Sequence, residues 1–99
     1  MALFKIFRAR EWVAFEADGR FEGSADDLRD GFIHLSAAAQ LEGTLKRHFA
    51  GEGGLVLAEV DVADDPALKW EESRGGALFP HLYRPLLLAD VVGRADPPA

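Results

Sequence analysis

Residues 55–62 constrain this chain most. Val56, Ala58, Val60 and Val62 fall on one face of an extended segment, and Leu55, Leu57, Glu59 and Asp61 on the other. A strand with one wholly apolar face must be buried on that face within a sheet, because a lone strand leaves its backbone polar groups unpaired. Gly51-Glu52-Gly53-Gly54 before it and Asp64-Asp65-Pro66 after it mark its limits. An apolar pattern of helical period precedes it. Ala38, Leu41, Leu45 and Phe49 form a stripe along a helix expected over residues 37–50, with Gln40, Glu42, Lys46 and Arg47 outside the stripe.

Other elements follow from similar signals. Residues 3–7 read as a strand with Leu3, Lys5 and Phe7 on one face and Phe4 and Ile6 on the other. A helix over residues 9–17 buries Trp12 and Phe15 and stops at Gly19. Arg20-Phe21-Glu22-Gly23 reads as a link, and Ser24 as the cap of a short helical turn beginning with Asp26 and Asp27. Asp30-Gly31 turns into a strand through His34. A short strand over residues 68–71, a loop at Arg74-Gly75-Gly76, an extended run over 79–83 and a last strand over 86–92 complete the chain. Early helices and late strands imply an α+β domain with a curved, mostly antiparallel or mixed sheet and two main helices. One globular domain is expected over residues 1–94, with 95–99 as a frayed tail.

Composition excludes several function classes. Acids outnumber bases 17 to 11 and the net charge is −6, so a nucleic-acid polymer held by phosphate contacts is not expected. A small phosphate-bearing ligand met by one or two arginines remains open. No apolar run approaches the roughly 20 residues of a membrane span, and residues 1–8 lack a signal-peptide core, so a cytoplasmic protein is expected. The absence of cysteine removes disulfides, thiolate nucleophiles and cysteine-based zinc sites. No P-loop, G-x-G-x-x-G or G-x-S-x-G motif occurs.

Two histidine segments carry the chemistry. In Gly31-Phe32-Ile33-His34-Leu35-Ser36, strand alternation puts His34 and Ser36 on one face, and Ser36 is the expected N-cap of the following helix, whose free N–H groups attract anions. Phe79-Pro80-His81-Leu82-Tyr83 repeats the pattern, with a histidine two residues before a hydroxyl. If the two segments face one another they frame a small-ligand cleft; otherwise each imidazole bonds a carbonyl and fills space. Trp70 is either core or a platform for a flat ring. Arg74, ahead of two glycines, aims at phosphate or sits solvated in a turn. Glu71 is a general base or ribose ligand, or the surface partner of Lys69. His48 lies in the last turn of its helix, where the macrodipole favours a cation. Asp26, Asp27 and Asp30 lack the spacing of a calcium loop, and no histidine pair has zinc-ligand spacing, so no metal is expected.

Lys5-Ile6, Glu11-Trp12, Gly19-Arg20-Phe21, Gly23-Ser24, the run from Asp30 to Ser36, His48-Phe49, Trp70-Glu71, Arg74-Gly75-Gly76 and Phe79-Pro80-His81-Leu82-Tyr83 recur in this order in a bacterial family. The chain resembles that family, the domain of unknown function DUF952. Arg8 departs from it, standing where a helix-capping threonine is frequent. The family is similar in fold to ADP-ribosyltransferases, which wrap a split sheet around NAD. That resemblance implies that His34 and Ser36 hold a ribose, with NAD as a substrate. If the polar pair, the helix N-terminus and the Arg-Gly-Gly loop face one cleft, the chain reads as an enzyme or former enzyme acting on NAD or a related phosphorylated nucleotide, in which Arg74 or Arg20 meets phosphate, Tyr83 or Trp70 stacks on a ring, Glu71 steers the reacting ribose and His81 is a catalytic group. Tyr83 follows Glu59 and Glu71 here, whereas the transferase order is His, Tyr, Glu. The alternative is a non-catalytic module that binds a small ligand or a partner on the same fold.

Overall fold

The structure, a computed structural model, describes residues 1–97, with Arg74 described by its backbone alone. Strand β1 (Leu3–Phe7) is followed by α1 (Ala9–Asp18), β2 (Arg20–Phe21), α2 (Ala25–Asp30), β3 (Ile33–His34) and β4 (Ser36–Ala37). Then come α3 (Leu41–His48), β5 (Val56–Val60), β6 (Leu68–Glu72), β7 (Leu78–Leu82), β8 (Leu86–Leu87) and β9 (Val91–Ala95). The strands form sheets in the orders β4-β1-β5-β9, β3-β7-β6 and β2-β8, and every pairing among the described residues is antiparallel. The architecture is α+β.

Alternation in β1 and β5 explains why the central sheet is covered on both faces. Leu3, Phe7, Ala58 and Val60 face one core with Trp12 and Phe15 of α1, Phe21, Ile33, Leu82 and Leu86. Phe7 is its aromatic centre, with ring centroids 5.2 Å from Trp12, 5.4 Å from Phe15 and 4.9 Å from Phe21. Burying each such ring contributes about 1.5–3 kcal/mol. On the other face Ile6 and Leu57 meet Leu41, Leu45 and Phe49, the expected helical stripe. Helix α1 ends as its sequence indicates. Gly19 adopts φ +74°, a left-handed geometry that a β-carbon disfavours, and its N–H donates to the Phe15 carbonyl at 2.8 Å.

Several expectations are corrected. Ser36 does not cap a helix. The segment through His34 and Ser36 divides at Leu35, so that β3 pairs with β7 while β4 pairs with β1. Ser36 lies opposite Phe4 in a sheet, and α3 starts only at Leu41, after a 3-10 turn over Ala38–Gln40. Ladder bonds to β1 outcompete the local cap, and the Gln40 side chain accepts from the Ala37 N–H at 3.0 Å instead. Arg20-Phe21 is not a link but strand β2, paired with Leu86 and Leu87. The last strand is two, β8 and β9, parted by a 3-10 turn over Leu88–Asp90. There Asp90 accepts from the Leu87 N–H and the Arg84 guanidinium, at 2.8 and 2.9 Å. Ala95, assigned to the tail, still pairs with Leu57; Pro98 and Ala99 of that tail lie outside the described residues. No helix among the described residues is long and apolar enough to cross a membrane.

Candidate functional site

Lys5 stands between Leu3 and Phe7 on the core face of β1 and is only 5% exposed. A buried ammonium requires a counter-charge, and α2 supplies it. The Ser24 hydroxyl accepts from the Asp27 N–H at 3.2 Å, and Asp27 Oδ2 accepts from the Ser24 N–H at 2.9 Å. The same oxygen accepts from Lys5 Nζ at 2.8 Å. Gly23 leaves the room for this arrangement, since a Cβ there would stand 2.7 Å from that of Asp27. The other oxygen, Oδ1, accepts from His34 twice, from its N–H at 3.1 Å and from Nδ1 at 2.6 Å. Burial pushes the Asp27 carboxyl up, but the His34 hydrogen bond and the Lys5 charge outweigh it. The group is held well below the usual carboxylate range. His34 Nε2 faces a second carboxylate, Asp30 Oδ2, at 3.1 Å. Arg29 holds Asp30 by a hydrogen bond and keeps its carboxyl below the usual range.

The register of β3 with β7 sets His34 directly across from His81. Their ring centroids lie 5.6 Å apart, the planes inclined at 68°. His81 Nδ1 donates to Glu71 Oε1 at 2.9 Å, and the Tyr83 hydroxyl donates to the same oxygen at 2.6 Å. Those bonds, from Tyr83 first and then His81, hold Glu71 below its ordinary value, while the carboxylate pushes the Tyr83 phenol up. Phe32 backs the pair, its ring 3.9 Å from that of His81 and 4.6 Å from that of His34. Both imidazoles therefore carry a carboxylate on Nδ1.

A cavity of about 400 Å³ opens where the chain passes from one sheet to the other. His34, Ser36 and His81 all line it. Ser36 is buried, and its hydroxyl is 3.2 Å from that of Thr44, which donates to the Gln40 carbonyl. Glu71 and Tyr83 stand outside the lining and meet the site through His81. Trp70 does not join it: it pairs with Pro80, one position out of register with His81, so strand alternation turns it to the opposite face. Arg20 does not join it either. Strand β2 carries its guanidinium onto Glu22 beside a separate hollow of about 340 Å³. Arg74 lies in the 3-10 turn Arg74–Gly76 between β6 and β7.

Sequence reasoning missed Asp27, Lys5, Asp30, Phe32 and Arg47. A lysine placed between two core positions of a strand was the available signal, because it demands a buried acid. Arg47, on the cavity rim, has no ion pair among the described residues, unlike Arg8 and Arg29, which face Glu52 and Asp26 with Asp30. Among the described residues, no group of three or more His, Cys, Asp and Glu is disposed to hold a metal ion.

Comparison with known proteins agrees with this architecture. A crystal structure of protein CC0527 from Caulobacter crescentus is similar at 54% identity and a TM-score of 0.92, covering 97% of this chain and 85% of that one. A crystal structure of a double mutant of CC0527 gives the same values. Its solution NMR structure gives a TM-score of 0.86 over 96% of this chain and 83% of that one. No curated protein matches the chain. The model of the family described as "Protein of unknown function (DUF952)" matches residues 6–94, and the chain belongs to that family.

Proposed function

We propose that this cytoplasmic protein binds NAD or a related phosphorylated nucleotide in the cavity beside His34, on a small ADP-ribosyltransferase-like fold. One observation carries the reading. Two imidazoles far apart in sequence meet in register, 5.6 Å apart by ring centroid, and line one cavity with Ser36. About 400 Å³ falls within the roughly 300–1,000 Å³ of small-molecule sites, at the end suited to a compact ligand rather than a polymer. His34 and Ser36 are the ribose contacts in this reading, and Arg47 replaces Arg20 as the phosphate contact. Calorimetry with NAD, ADP-ribose and nicotinamide tests it. Binding to the wild type that disappears in His34→Ala supports it. No heat from the wild type at millimolar ligand ends it.

A further inference from the structure

We propose that His81 and His34 act as a general base and general acid that together hydrolyse one phosphodiester bond of the bound ligand, with Glu71 and Asp27 as their positioning residues. This rests on the nucleotide reading above and narrows it to nucleotides that contain a phosphodiester.

The hydrogen bonds assign the roles. A carboxylate only accepts, so each Nδ1 facing one carries the hydrogen. Among the described residues His81 meets one carboxylate, Glu71 at Nδ1, so Nε2 is the nitrogen free to accept when the ring is neutral. His34 meets two, Asp27 at Nδ1 and Asp30 at Nε2, so a hydrogen on either nitrogen has a carboxylate to accept it. One imidazole ready to accept and one ready to donate, lining the same cavity, is what a displacement by water needs. A covalent route is less well served. Ser36 is engaged with Thr44, a hydroxyl rather than an imidazole that could activate it as a nucleophile. On the rim, Arg47 supplies a guanidinium for the non-bridging phosphate oxygens.

In the step itself, water attacks phosphorus as His81 Nε2 takes one of its protons. A new P–O bond forms and the P–O bond to the departing alkoxide breaks, the electron pair leaving with that oxygen. The oxygen takes the proton from His34 Nε2, displacing Asp30, which Arg29 retains. His81 gives up its proton and His34 regains one from solvent. The net reaction is phosphodiester plus water to phosphomonoester plus alcohol.

The full chain is assayed with cyclic AMP and bis(p-nitrophenyl) phosphate in the presence of EDTA, with AMP binding measured in parallel. The expected result is turnover with a bell-shaped pH profile. His34→Gln and His81→Gln each lower kcat by about 10²–10⁴-fold; AMP affinity falls in His34→Gln, which loses a ribose contact, and stays within a few-fold in His81→Gln. Glu71→Gln, at a half-buried position where the amide oxygen can still accept from His81, leaves Tm unchanged, lowers kcat and moves the acidic limb of the profile. Wild type that binds AMP but hydrolyses neither ester above background overturns this inference and leaves the binding reading standing; failure to bind AMP or any of the calorimetry ligands removes both. Turnover that needs added metal, or that survives both histidine substitutions, overturns it as well.

Discussion

The two imidazoles are held alike and supported differently. Each donates Nδ1–H to a carboxylate, but Asp27 is 2% exposed and shared with the buried Lys5, whereas Glu71 lies at the surface and shares its oxygen with Tyr83. Around His34, orientation of the ring and cohesion of the fold are one network, because α2 ties β1 to β3 through a single carboxylate. Around His81, which is itself buried, the orienting pair can be removed without leaving a buried ammonium unpaired. The same local geometry therefore carries a large stability cost on one side and a smaller one on the other.

Substitutions should expose that difference. Asp27→Ala leaves Lys5 as an uncompensated buried charge and should cost about 3–5 kcal/mol in urea denaturation. An unchanged midpoint would mean that Lys5 reaches water. Lys5→Met combined with Asp27→Leu removes both charges, and should recover much of that loss; a double variant no more stable than Asp27→Ala would show that the His34 bonds, rather than the ion pair, hold α2 in place.

Acid should act through the same residue. Asp27 is held below its unfolded-state value, so it adds stability that is fully present above about pH 4, the unfolded carboxylate value. That stability is lost as the pH falls toward the folded-state value. Asp27→Asn should flatten the acid limb of a stability-against-pH curve, and an acid limb identical to wild type would refute the assignment. On the other flank, Glu71→Gln should leave Tm within error of wild type and change only the His81 ring, seen as altered imidazole nitrogen shifts in NMR. Tyr83→Phe should be milder still. It removes one donor to Glu71 and should return that carboxyl toward its ordinary value, measurable by carboxyl titration.

Much of the fold was legible because it rests on local rules. The Leu41, Leu45 and Phe49 stripe became the buried face of its helix, Gly19 ended α1, and Ser24 capped α2. Ser36 was misread because its capping propensity is local and its partner Phe4 is not. Arg20 and Trp70 were misplaced for a related reason: which face a side chain takes in the assembled sheets depends on pairings no single segment specifies. Asp27 passed as a first-turn acid, although Lys5 among core positions already called for a buried carboxylate.

The sequence by itself determined the α+β class, the main helices, the turn glycines and the two histidine segments, since periodicity and backbone preference act within a few residues. Only the tertiary structure decided that His34 lies across from His81, that Asp27 serves Lys5 and His34 together, and that Arg47 rather than Arg20 stands at the cavity. Those outcomes depend on strand register and on the need of buried charges for partners, and both are satisfied only when distant segments are already packed together.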